Sequence, residues 1–178
     1  MTNQTPETII YEGVEYDHRC YILEQVKPRI EFHPIGSFCW RGYRGAWEIR
    51  DNKLYLVDLM AWRHDPNSRR IVPQIRVDDE AEFYIGEREE FDFTQLALQD
   101  VFPDSPADGV FANWFNGELA IPSGDPDEKG HHNQFLVFDF LKGVIQSKTI
   151  KPYEEAFKSF GHKKFIEELQ ESSNDKPK

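Results

Sequence analysis

Two cysteines and two methionines are all the sulfur in these 178 residues. Cys20 and Cys39 could pair, but two residues make no disulfide framework. Both stand among aromatic side chains, so the sequence predicts reduced, buried thiols. No window approaches the run of roughly 18 apolar residues that a membrane helix needs. The opening MTNQTPETII lacks the basic start and apolar stretch of a secretory leader. A cytoplasmic protein without a membrane partner is the expectation. Also missing are the G-x-S-x-G elbow, the phosphate loop, the dinucleotide glycine pattern, H-E-x-x-H and paired C-x-x-C. Enzymes built on those motifs are excluded, and neither a cofactor nor a metal is expected.

What the chain does have is aromatic bulk. Fourteen Phe, seven Tyr and four Trp make up 14% of the residues, enough to fill one core although hydrophobic content is only 39%. The length suits one domain. Residues 1–8 read as an unstructured N-terminus, 9–170 as a single β-rich domain and 171–178 as an unstructured tail. Turn chemistry predicts hairpins at Glu12-Gly13, Asp51-Asn52-Lys53, Asn116-Gly117 and Lys142-Gly143, each between apolar-rich runs. Of these, Asn116-Gly117 carries the strongest local signal, and Pro122 is expected to end its second strand. Residues 20–26 predict a short helix before Pro28, with a strand resuming at Ile30 and Phe32. Segment 63–80 reads as an excursion from the sheet, followed by edge strands through Phe83, Ile85, Phe91 and Phe93.

Beyond Pro152, phenylalanines at helical spacing predict a helix or helix pair at the C-terminus. The fold class is therefore mainly β (α+β). It comprises a single antiparallel sheet or barrel-like domain of about seven to nine strands, with the helix over one face or an edge. Its predicted core is Trp47, Ile49, Leu54, Leu56, Trp114, Leu119, Ile121, Phe138, Phe140 and Phe165.

The formal net charge of −11 is unevenly distributed. Residues 1–75 carry ten acids and ten bases, whereas residues 76–104 carry ten acids against Arg76 and Arg88. Asp78, Asp79, Glu80, Glu82, Glu87, Glu89, Glu90 and Asp92 form the densest part. Two readings fit. The acids are a solvated edge that keeps the chain soluble, or a recognition surface for a basic protein partner. Nucleic acid is disfavoured as a ligand, because its phosphates would be repelled.

Residues able to carry chemistry are scattered. His131 and His132 adjoin Asp125, Asp127 and Glu128, but neighbouring residues of an extended chain point to opposite sides and chelate poorly. His64-Asp65 reads as the start of an Asp-Pro turn. Ser37 and Cys39 are the only nucleophile candidates; Cys39 reads as buried, whereas a reactive thiolate needs an accessible cationic setting, for which only Arg41 and Arg44 stand near in sequence.

RGYRGAWEIRDNKLYLVDL (41–59) and VFPDSPADGVFANWFNGELAIPSGD (101–125) resemble two blocks of a set of small, uncharacterised bacterial proteins. Those blocks read G-Y-x-G-x-W-E-I…L-Y-L and F-A-x-W-F-x-G-E-L-x-I-P-x-G. The resemblance implies a shared fold and a bacterial or phage origin, and it brings no activity or catalytic residue. The functional expectation is a non-catalytic, acidic cytosolic binding protein, of the immunity or inhibitor kind that neutralises a toxin or nuclease. Its alternative is a small hydrolase or ligand-binding enzyme with a site near residues 122–139.

Overall fold

Three tight turns set the sheet, and each needs positive φ at both central residues. Glu12-Gly13 (φ 51° and 78°) joins β1 (Glu7–Tyr11) to β2 (Val14–His18). Asp51-Asn52 (50° and 57°) joins β3 (Tyr43–Arg50) to β4 (Lys53–His64). Lys142-Gly143 (51° and 73°) joins β10 (Gln134–Leu141) to β11 (Val144–Pro152). These values belong to the turn whose twist matches that of the strands it connects. The computed structural model describes residues 4–18, 20–26, 31–77 and 83–157.

A nine-stranded sheet runs in the order β2-β1-β3-β4-β11-β10-β9, with β9 spanning Gly117–Ser123. β7 (Phe93–Leu96) and β8 (Val110–Phe111) both pair with β4 off this path. Most pairs are antiparallel, as expected, but β1 runs parallel to β3, so the sheet is mixed. The end strands β2 and β9 touch without forming a ladder, so the sheet curls and closes no barrel.

Among the described residues, strand β5 (Arg70–Val77) pairs only with β6 (Phe83–Glu90), in a separate two-stranded ribbon. This arm leaves β4 and returns at β7 through one point, where Asp65 N–H donates to the Asp92 carbonyl at 2.9 Å. Its entry is a 3-10 turn over Pro66–Ser68 capped by the Asp65 carboxylate. Pro73 lies within β5, opposite Glu87, a position open to proline at a ribbon's free edge.

Asn116-Gly117 is not a hairpin turn. β8 pairs with β4 and β9 with β10, so the two flanking strands never meet. The intervening segment spends its polar groups elsewhere. Phe115 carbonyl accepts from Gly143 N–H (2.8 Å), and Asn116 Oδ1 accepts from Lys142 N–H (2.8 Å). Asn116 also exchanges two hydrogen bonds with the Gln25 side chain. Pro122 does not stop β9, which continues to Ser123 as a strand with a ladder on one side only.

Nearly all of the predicted core is confirmed: Trp47, Leu54, Leu56 and Phe138 are fully buried, with Ile49, Leu119, Ile121 and Phe140 close behind. Trp114 is only half-buried, because its indole stacks on Phe102 and donates to the Ile22 carbonyl at 3.2 Å. Phe165 lies outside the described residues. A 3-10 turn forms at Leu23–Gln25, but Phe32 belongs to no strand, and Ile30 is also outside. Helix α1 (Leu98–Val101) precedes β8, and α2 (Tyr153–Ala156) packs Ala156 beside Phe135 and Val137 on the second face of β10.

Gly13 and Gly143 occupy the same place in the same turn type but meet different surroundings. A Cβ at 13 meets nothing within 4 Å, whereas one at 143 falls 2.4 Å from the Ala112 carbonyl oxygen. Gly13→Ala should cost about 1 kcal/mol for the left-handed backbone alone. Gly143→Ala should cost roughly 1–3 kcal/mol more through overlap. Urea unfolding of the two variants measures the difference, and equal losses would contradict the contact.

Candidate functional site

Of the acids singled out in the sequence, Glu87, Glu89 and Glu90 lie in β6 and Asp92 just after it. Asp78, Asp79, Glu80 and Glu82 fall outside the described residues. On the arm, Glu89 is ion-paired with Arg69, and Glu90 with Arg88 and with Arg70 at 3.4 Å. Asp92 reaches Arg70 at 2.7 Å. Antiparallel register brings Arg70, with Arg69 just before it, from the neutral first part of the sequence against the acidic strand, on which Arg88 itself lies. Glu87 stands exposed across from Pro73, which has no charge to offer. Asp100 and Asp104, from the same acidic stretch, lie away from the arm beside a cavity described below.

The most unusual electrostatics are inside the protein. Glu7 is fully buried at the start of β1, within the segment read from sequence as an unstructured N-terminus. Its Oε2 accepts from Trp47 Nε1 at 2.6 Å, and the Arg41 guanidinium approaches Oε1 at 4.0 Å. Burial outweighs both partners and pushes the Glu7 carboxyl up to about 7. Gly45 makes the pairing possible, since a Cβ there would lie 2.8 Å from both Glu7 Oε2 and Trp47 Nε1. Two-residue periodicity could have placed Glu7 on the same face as Ile9, but the polar run before it hid the strand.

His18, at the end of β2, is also buried. Desolvation lowers it to about 4 against a backbone hydrogen bond with Ala120 that raises it. Cys20 and Cys39 are free and buried, and burial pushes the Cys20 thiol well up, opposite to a nucleophile's needs.

The remaining histidines among the described residues are held structurally. His64 is sandwiched between His33 (ring centroids 4.1 Å apart) and Phe91 (4.6 Å), while Asp65 caps its turn. In the 122–132 loop, Asp127 accepts from the backbone N–H groups of Lys129 and His131, and His132 Nδ1 lies 3.1 Å from the Gly124 carbonyl. Those backbone bonds, led by that of His131, hold the Asp127 carboxyl below its usual value.

Two cavities adjoin these features. One, of about 740 Å³, is lined by His131, His132, Phe135, Tyr153 and Glu154. The other, of about 800 Å³, lies between the α1–β8 loop and β4, with walls that include Tyr55, Phe102, Val110 and Phe111. Among the described residues no helix is long and apolar enough to cross a membrane, and no three metal-ligating side chains converge. Comparison with family models, curated proteins and solved structures returns no match.

Glu7 and His18 make stability depend on pH in opposite directions. Between its ordinary 4.5 and about 7, Glu7 holds a proton in the folded chain that the unfolded chain has released, so stability falls as pH rises. Between about 4 and 6.5, His18 is protonated only in the unfolded chain, so stability falls as pH drops. Each shift is worth roughly 3 kcal/mol at about 1.4 per pH unit. Urea unfolding at stepped pH should show their contributions cancelling between 4.5 and 6.5. Glu7→Gln should remove the decline just above that window. A Glu7→Gln profile that declines as steeply as wild type there would contradict the assignment.

Proposed function

We propose that this is a non-catalytic binding protein that meets a basic surface on a protein partner through its β5–β6 arm. The observation behind this reading is the arm itself. A two-stranded ribbon is marginal by itself, and among the described residues this one forms no broad contact with the nine-stranded sheet. Charge pairs cross it, Ile71 is 54% exposed, and Glu87 projects without an opposing charge. An element that adds so little to the core is suited to contact another molecule. The segment joining its strands adds Asp78, Asp79, Glu80 and Glu82, so the arm's excess charge is negative. A toxin or nuclease with a cationic active site is the partner class, and the protein acts as its inhibitor. Buried thiols and structurally engaged histidines fit a protein without a nucleophile.

A second reading has one observation in its favour. The His131–Glu154 cavity coincides with the 122–139 region from which a small hydrolase or ligand-binding enzyme would work.

The two surfaces are separable by charge reversal. Glu87→Lys should leave stability within about 0.5 kcal/mol of wild type, as exposed substitutions do. Partners captured from a bacterial lysate by the wild-type protein should associate with this variant several-fold more slowly, with a flatter salt dependence of the on-rate. Surface plasmon resonance across salt concentrations reads both. An unchanged on-rate and salt slope would remove the arm from recognition.

A further inference from the structure

From the cavity between the α1–β8 loop and β4, we infer a second binding site, independent of the arm, for a small organic cation carrying an apolar body. The volume of about 800 Å³ is that of a small-molecule site. Its walls supply aromatic faces from Tyr55, Phe102 and Phe111 and aliphatic surface from Val101 and Val110. Two of these rings already carry protein cations. The Arg50 guanidinium lies 4.1 Å from the Tyr55 centroid, and the Lys53 ammonium 5.6 Å from that of Phe111. Four nearby carboxylates outnumber these two cations. Arg50 is bound by Glu48 at 2.6 Å and by Asp108 at 3.2 Å, and Asp100 and Asp104 add two further carboxylates.

These acids are not equally available. Asp100 Oδ2 accepts from the Ala97 N–H at 2.8 Å, and Asp108 is held by Arg50. Asp104 is exposed, with its carboxylate open to a ligand. Beside it the Ser105 Oγ is buried without a hydrogen-bond partner. A buried hydroxyl left unpaired is costly, so a turn of this side chain into the cavity to meet a ligand N–H gains a bond that the protein does not make for itself. Gly109 closes the floor: with φ at +113° and its Cβ position 2.7 Å from the Leu56 carbonyl, the loop lies directly on β4. Acidic rim, cation-bearing rings and an unpaired hydroxyl together select an ammonium with N–H donors on an aromatic or aliphatic body, and they repel a carboxylate of the same shape.

The test uses the full chain and two probes of matched body and opposite charge, 2-phenylethylammonium and 3-phenylpropionate. In two-dimensional amide NMR titrations the ammonium should shift Phe102, Asp104, Ser105, Gly109 and Val110 in a saturable way, and the carboxylate should not. Asp104→Asn should weaken the ammonium by about two- to five-fold. Ser105→Ala should weaken it too, and since that change removes an unpaired group it should not lower the melting temperature. Equal shifts from both ions, shifts centred on other residues, or unchanged affinity in both variants would overturn the site.

Discussion

One strand with a demanding edge organises this fold. β4 is 12 residues long and pairs with β3 along one side. Its other edge must find partners for every backbone group that the core takes out of water. No single strand does so. β11 covers the start at Lys53, β8 covers Tyr55 and Leu56, and β7 covers Ala61 to His64. The handover happens at Leu54, whose N–H donates to the Gly143 carbonyl (2.9 Å) and whose carbonyl accepts from Ala112 (2.9 Å). Three remote stretches of chain meet there, which is why turn 142–143 and segment 112–116 are locked together rather than each closing on itself.

The buried Glu7 belongs to the same economy. β1 lies parallel to β3, with Ile9 opposite Trp47. A slip of one residue would turn Glu7 out to solvent and Thr8 into the core. Trp47 meets the carboxyl with an indole N–H, and Gly45 leaves room for that contact. A polar pair in an aromatic core costs stability relative to an apolar one, and a slipped register would break it. Buried polar groups act this way in some proteins, and the parallel placement of β1, which no hairpin enforces, is where such a device has use.

How much of this could be read from the residues depended on how local the physics was. Glu12-Gly13, Asp51-Asn52 and Lys142-Gly143 are turns because their own backbone torsions require it, and all three were legible. Asn116-Gly117 presented the same chemistry. There the decisive partners, Gln25 and Lys142, are 91 and 26 residues away, and nothing local reveals them. The acidic stretch was legible as composition, but the ion pairs within it were not. Register sets Arg69 and Arg70 against its acids, while α1 carries Asp100 away toward a cavity. Glu7 looked like part of a polar leader, because burial of a carboxylate is decided by Arg41 and Trp47 across the fold.

The arm enters and leaves through a single hydrogen-bonded pair, Asp65 and Asp92, beside the His64–Phe93 rung of the β4–β7 ladder. Seen from the sheet, the 26 residues between that pair amount to the loop of an ordinary hairpin. Closing a loop grows only slowly more costly with its length, so the scaffold is almost indifferent to what is spliced into this position. The arm is thus a replaceable module. Its sequence can lengthen or be exchanged while β4 and β7 keep their pairing.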